Sequence, residues 1–453
     1  MKSFSESISD LNAVLAGTGL KSELVRGGIG SLTLKAAYIL LTFFTSVTLA
    51  RLLGADGYGV YTYILALVYL FTIPVEFGFP NLVVRETAKF MVKQEWGMIQ
   101  GVWRWTGKIT VFLTVLLILG AGVVIAVFWG RFSPEQLIII ICGIALVPLV
   151  TLGNLRGAAL RGLNYVIQGQ LPEQLLLPGL HLLLIIGAVF IFSAKNLTPL
   201  MALSLMVIAA ALSFFAGVWL LWRIVPLEIR YAKPTYASRL WLSSTLPLAL
   251  TSGMGLIIGR AGIVLLGIFG ESMDVGIYRV ADQMAFLLSM GLQAINMVIA
   301  PQITRLYALG DKARLQQLAT ASARMALFLT LPVVVVFLLF GKPLLNLVFG
   351  MDFLPAYGPL AILSIGQLIN SAAGSVGFLL NMTGHEQDTA RVFAFATVGS
   401  ILLNLILIPL WGTIGAAFAS AITMVAWNVL LWLAVQKRLG INSMVFSMIH
   451  RRK

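Results

Sequence analysis

The chain has 453 residues, of which 59% are hydrophobic and only 11% charged, and its formal net charge is +14. Soluble domains carry roughly 25% charged residues, so this composition excludes a soluble globular fold. Recurrent apolar runs of about 20 residues, without ten-residue alternation, exclude an outer-membrane barrel.

In chain order, residues 1–27 are polar and lack the apolar core and cleavage site of a signal peptide. They are expected to form a cytoplasmic N-terminal segment. Twelve spans are predicted, with cores at 28–50, 59–80, 107–130, 135–153, 173–193, 199–222, 242–269, 276–300, 323–341, 355–380, 389–410 and 412–436. They group into an N-terminal lobe (28–222), a cytoplasmic linker (223–239, "RIVPLEIRYAKPTYASR"), a C-terminal lobe (240–436) and a basic cytoplasmic tail (437–453). The predicted fold is an all-α polytopic membrane protein with two pseudo-symmetric six-helix lobes around a central cavity.

Polar residues inside spans should face protein or water, and helical spacing shows which of them share a face. The first span carries one stripe of Ser31, Lys35, Tyr38, Thr42 and Thr45. Lys35 is within about two turns of the cytoplasmic end, within reach of snorkelling. The second span carries Tyr69, Thr72 and Glu76, and the loop after it begins its basic residues at Arg85. In the fourth span the single cysteine, Cys142, reads as packing, and the scattered His181, His385 and His450 offer no zinc spacing. No metal or cofactor is expected.

The seventh span, "GMGLIIGRAGIVLLG", holds Ser252 and Arg260 on nearly one side. Arg260 lies ten residues from Gly270, about 15 Å along a helix and so near mid-bilayer. A central Arg costs about 2.5–3.5 kcal/mol on insertion scales. Either a buried carboxylate such as Glu76 pairs with it, or it faces a wet anion-binding cavity. The glycines around it (Gly253, Gly255, Gly259, Gly262) read as close packing or a bend. The eighth span carries Arg279, Asp282, Ser289, Gln293 and Asn296, with Arg279 and Asp282 spaced to pair at i, i+3. The basic residue after it is Arg305. The tenth carries Ser364, Gln367, Ser371 and Ser375.

The charges also orient the chain. With a cytoplasmic N-terminus, 24 Lys and Arg fall in the tails and even-numbered loops and 5 in the opposite loops. The positive-inside rule therefore places both termini in the cytoplasm, and the basic balance is topology and contact with anionic headgroups. Nucleic-acid binding is not indicated, because no recognisable module accompanies the charge.

The halves repeat. "GADGYGVY" from Gly54 answers "GESMDVGIY" from Gly270, with Tyr61 and Tyr278 217 residues apart. Pro80 and Arg85 answer Pro301 and Arg305, and Gly162 answers Gly384. Six spans per half gives like-oriented repeats, a transporter design suited to alternating access.

"LARLLGADGYGVYTYILAL", "GFPNLVVRETAKF", "LRGAALRGLNYVIQGQ" and "NLILIPLWGTIGAAFASAI" resemble the polysaccharide-repeat-unit flippases of the multidrug/oligosaccharidyl-lipid/polysaccharide exporter superfamily. The resemblance covers about Gly27 to Gly440. It implies a secondary transporter in the bacterial cytoplasmic (inner) membrane, not an enzyme. Its cargo would be an undecaprenyl-pyrophosphate-linked oligosaccharide, such as an O-antigen unit for lipopolysaccharide, moved to the outer leaflet. Coupling to a proton or Na+ gradient, a polysaccharide polymerase and a chain-length regulator are implied as partners. Arg260 and Lys35 become cavity cations. Arg279, Tyr38, Thr42, Gln293, Asn296 and Gln367 are further candidates for the pyrophosphate and sugars. Glu76 and Asp282 are candidates for ion coupling, and Arg85 and Arg305 for a cytoplasmic gate or headgroup contact. Many relatives carry an acidic residue just after the position of Arg260, where this chain has Gly262.

A multidrug exporter of the same superfamily is the nearest rival, though cationic drugs would prefer an acidic cavity. A polymerase or glycosyltransferase would need a large extramembrane loop with catalytic groups. The sequence has no GxSxG, HExxH or phosphate-binding glycine loop. A gated channel is the third alternative.

Overall fold

The computed structural model describes residues 20–128, 130, 133–193 and 196–445. Most of the N-terminal segment, Arg131, Lys195, His450 and the end of the basic tail lie outside them. Among the described residues regular structure is entirely helical. In chain order the helices are α1 (Leu20–Glu76), α2 (Phe79–Lys93), α3 (Trp96–Val127), α4 (Pro134–Gly162), α5 (Val166–Leu171) and α6 (Leu177–Phe192). They continue with α7 (Pro199–Ile224), α8 (Leu227–Tyr231), α9 (Ser238–Phe269), α10 (Ser272–Ala308) and α11 (Lys312–Val348). The last are α12 (Tyr357–Ala373), α13 (Val376–Met382) and α14 (Glu386–Leu439). A π-helical segment, Pro172–Leu176, joins α5 to α6, and a 3-10 turn, Met351–Ala356, precedes α12.

Ten of the described helices are long and apolar enough to cross a membrane. Two are double-length and bend at one glycine each: α1 at Gly54 (φ 66°, ψ −177°) and α14 at Gly412 (φ 53°, ψ −128°). Divided there, the helices accommodate twelve traverses of about 20 residues or more. The stretch "GADGYGVY", expected as a loop, is therefore helical on both sides of Gly54. A left-handed φ is cheap for glycine, so one residue suffices to redirect the chain.

Other boundaries also moved. The second span ends at Glu76, because Phe77 and Gly78 both take positive φ. The expected loop "GFPNLVVRETAKF" forms α2, with Pro80 in its first turn, where a missing N–H costs nothing. The tenth span breaks at Gly374 (φ 75°), where a Cβ would stand 2.7 Å from that of Ala323. Elsewhere local signals set the ends as usual. Ser133 and Gln136 cap α4 reciprocally, and Thr198 caps α7 by accepting from Met201 N at 3.2 Å.

The chain divides into two compact units. One comprises the described residues of Met1–Thr48 with Phe71–Leu250, the other Leu49–Leu70 with those of Thr251–Lys453. This differs from lobes drawn in span order, 28–222 and 240–436, at two places, and each has a local cause. The charged linker is stitched to α3: Thr235 N donates to Gly97 O at 2.9 Å, Gln100 Nε2 donates to Arg230 O at 2.9 Å, and Gly101 lies against Thr235 O. Trp241 is fully buried beside Trp105, and Phe79 completes the stack.

The second exchange, of Leu49–Leu70, follows from glycine contacts. A Cβ on Gly59 would overlap Ser272 O, and a Cβ on Gly276 would overlap Ala55 O. Gly59 and Gly276 are 217 residues apart, as are Ala55 and Ser272, the same offset as Tyr61 and Tyr278. Repeat-equivalent backbones thus cross in direct contact, with pseudo-twofold exchange of roles. Within this unit α12 packs along α11 and α14. In the other, α4 packs along α2 and α7.

Candidate functional site

The candidate site centres on Arg260 of α9, a charge set in a strongly apolar stretch of helix. Its guanidinium is half-buried and lies over the ring of Tyr69, 5.0 Å from the centroid. Such stacking contributes about 0.5–2 kcal/mol, depending on desolvation, and uses the face of the guanidinium. The N–H groups lie in its plane and suit a bidentate oxyanion. Two of the neighbouring glycines, Gly255 and Gly259, are exposed and have no atom within 4 Å of the place of a Cβ. They neither bend α9 nor pack against another helix. They leave open space on the helix face beside Arg260, which corrects the packing or bend expected of them.

Gly262 behaves differently. A Cβ there would stand 3.0 Å from Tyr278 Oη, and that hydroxyl is hydrogen-bonded to Ser420 Oγ at 2.8 Å. An acidic side chain at 262 has no room while Tyr278 holds this place.

On α10, Arg279 Nη1 donates to Asp282 Oδ2 at 2.8 Å, so these two charges satisfy each other at i, i+3. Further along, Gln293 Nε2 donates to Ser289 Oγ at 2.9 Å. Asn296 is buried, and its Oδ1 has no hydrogen-bond partner. On α12 the candidate Gln367 joins an amide chain: Asn428 Nδ2 donates to Asn370 Oδ1 at 2.9 Å, and Asn370 Nδ2 donates to Gln367 Oε1 at 3.2 Å. Arg260, Arg279, Asp282, Gln293, Asn296, Gln367 and the exposed Arg305 all belong to one unit.

Lys35, Tyr38, Thr42, Glu76 and Arg85 belong to the other unit. Lys35 is half-buried and Tyr38 exposed. Thr42 Oγ1 donates back to Tyr38 O at 2.7 Å, the common fate of a mid-helix threonine. Glu76 Oε1 accepts from Asn154 Nδ2 of α4 at 2.7 Å. Arg85, half-exposed on α2, pairs with the buried Glu86 at 3.0 Å, and Lys89 approaches Glu86 at 3.4 Å.

The stretch between the predicted fourth and fifth spans, 154–172, carries a charge cluster that the span pattern does not mark: Arg156 and Arg161 both lie on α4, which runs on past residue 153. Arg156 is ion-paired with Glu173, which sits in the π-helical segment. Glycines make the room: the Glu173 carboxylate lies beside Gly153 and Gly157, and the Arg156 guanidinium lies flat on Gly217 of α7. The available signal was Gly153 and Gly157, one turn apart on α4 and opposite an acidic residue.

Residues 48–358 match the family of polysaccharide biosynthesis proteins. That is more than half of the chain, and the chain belongs to this family. It is 25% identical over 221 residues to the probable low-salt glycan biosynthesis flippase Agl15 of Haloferax volcanii, across 48% of this chain and 47% of that protein. The match thus spans about half the length of that relative. The fold is that of solved membrane transporters. A multidrug resistance MATE family transporter of the MOP superfamily, in an inward-facing conformation, superposes with a TM-score of 0.71 at 15% identity, over 91% of this chain and 98% of that one. Lipid II flippase MurJ, in an inward closed conformation, gives 0.65 at 14% identity, over 91% and 87%.

Proposed function

We propose that this polysaccharide biosynthesis protein is a flippase. In this reading it is a secondary transporter that carries a lipid-linked oligosaccharide from the cytoplasmic to the outer leaflet by alternating access. The observation that carries it is Arg260: a cation deep in an apolar helix, stacked on Tyr69, on a face kept open by Gly255 and Gly259. A pyrophosphate headgroup loses its hydration on entering a low-dielectric layer, and fixed charge-assisted donors replace it. Arg260 supplies bidentate donors for it. The buried Asn296 and the half-buried Gln367 are suited to sugar hydroxyls, and the lipid tail stays in the bilayer.

The finer substrate we assign is an undecaprenyl-pyrophosphate-linked repeat unit, of O-antigen or another surface polysaccharide. The loop charge bias supports cytoplasmic termini. For ion coupling, Glu76 is the better of the two carboxylates. Its hydrogen-bond partner Asn154 is neutral, whereas Asp282 is held directly by Arg279.

The test is a deletion strain complemented with wild type or Arg260→Ala. The lipid-linked oligosaccharide on the cytoplasmic leaflet is measured together with protein level and surface polysaccharide. Accumulation with the well-expressed variant is expected, and normal export by it would overturn the reading. Drug resistance conferred without any effect on polysaccharide would favour a multidrug exporter.

A further inference from the structure

The break in the tenth span leaves backbone groups without helical partners. The last carbonyls of α12 receive no donors from within their own helix. Gly374 N serves one of them, donating to Ser371 O at 3.2 Å. Ser375 stands at the N-cap of α13 but makes no cap bond, and its buried Oγ has no hydrogen-bond partner among the described residues. The remaining donors come from beyond α14. Val445 N donates to Ala372 O at 3.3 Å, and Ser443 Oγ makes a long hydrogen bond to Ala373 O at 3.5 Å. Polar groups left unmatched inside a protein are costly, so these bonds hold the break in its shape.

The segment that supplies them is anchored at Asn442. Its backbone N donates to Gln316 Oε1 of α11 at 2.6 Å, and its carbonyl accepts from Gln316 Nε2. Its side-chain Oδ1 accepts from Trp432 Nε1 at 3.0 Å and from Met444 N at 3.2 Å. Ser443 is fully buried, and Ile441 shares one apolar cluster with Val376, Leu379 and Leu380 of α13. Residues 441–445 thus form a strap seated across the break. Trp432 and Asn428 lie one turn apart on α14, so their side chains share a face. Asn428 Nδ2 donates to Asn370 Oδ1, and Asn370 Nδ2 donates to Gln367 Oε1. The bonds close a ring: the strap to α14 at Trp432, α14 to α12 at Asn428, and α12 back to the strap at Ala372 and Ala373.

We propose that Asn442 is a positioning residue for the sugar contact Gln367, acting through the strap and the last turn of α12. The proposal rests on the flippase reading above, in which Gln367 meets sugar hydroxyls and Arg260 meets the pyrophosphate. Asn442 therefore governs affinity for the glycan and not for the lipid pyrophosphate.

The test uses the purified full-length protein in mild detergent and two probes. One is undecaprenyl pyrophosphate. The other is the undecaprenyl-pyrophosphate-linked oligosaccharide that accumulates in the deletion strain. Wild type is expected to bind the glycosylated probe more tightly. Asn442→Ala should weaken binding of that probe by about tenfold, the size of one well-made hydrogen bond, and leave undecaprenyl pyrophosphate binding as in wild type. Asn442→Asp keeps an acceptor for Trp432 and Met444 and should restore glycan binding. Ser443→Ala removes only the bond to Ala373 and should give a smaller loss of the same kind, which serves where Asn442→Ala does not accumulate. Because Asn442 acts through Gln367, Asn442→Ala combined with Gln367→Ala should bind no worse than Gln367→Ala alone. Without ligand, backbone hydrogen exchange across residues 367–376 should be faster in Asn442→Ala than in wild type. Unchanged exchange, equal losses for the two probes, or additive losses in the double variant would overturn the positioning role and leave the flippase reading standing. A wild type that binds neither probe would overturn the flippase reading, and the proposal with it.

Discussion

Arg156 and Arg260 are both arginines in spanning helices, and the protein accommodates them in opposite ways. Arg156 is enclosed: Glu173 pairs with it, Gly217 is flattened against it, and only 4% of its side chain is exposed. Arg260 is half-open: an aromatic face supports it, and the glycines beside it border empty space. Glycine is next to both, with different effects. At Gly217 the missing Cβ lets a charge be buried. At Gly255 and Gly259 it leaves a charge accessible. A buried arginine is thus not by itself a sign of function. Its burial and the space around it separate an enclosed charge from a half-buried one.

The sharpest way to break this contrast is Arg156→Met, which leaves Glu173 without its cation. Removing one partner of a buried pair costs about 3–5 kcal/mol, so unfolding in detergent should shift strongly downward. The double variant Arg156→Met with Glu173→Met should recover much of that loss, and a thermal-unfolding double-mutant cycle checks it. Next in size is Gly217→Ala, which forces the Arg156 guanidinium off its place. Overpacking of this kind costs about 1–3 kcal/mol, read in the same assay. For Arg260→Ala the order of effects reverses. The stacking on Tyr69 that it removes is worth about 0.5–2 kcal/mol, while flipping, followed as leaflet accumulation, should fall to background. The smallest effect should be at Gly255. With no neighbour near its Cβ and no positive φ, Gly255→Ala should raise helix stability by about 0.5–1 kcal/mol. A destabilised Gly255→Ala would show that this face is packed, and the contrast would collapse.

Much of this was legible in the sequence. Apolar runs located the helices, and the depth of Arg260 singled it out. The i, i+3 spacing of Arg279 and Asp282 matches their ion pair. The repeat offset of 217 recurs in the contacts of Gly59 with Ser272 and of Gly276 with Ala55. What was illegible had physical causes. Residues 51–58 read as a loop between spans, yet Gly54 redirects the chain in one residue and leaves helix on both sides. Arg156 and Arg161 fall beyond the apolar core of the fourth span, 135–153, yet α4 continues through both. Their compensation by Glu173 lies on another helix, and hydropathy is blind to partners far along the chain.

The sequence by itself determined the membrane, the all-helical content and which residues are too costly to face lipid, because transfer free energy is a property of the residue and its immediate neighbours. Only the tertiary structure decided which charges neutralise one another. It also decided that Leu49–Leu70 joins the second unit and the linker joins the first. Those outcomes depend on how closely two backbones approach, and that distance is set by residues far apart in the chain whose packing no local pattern records.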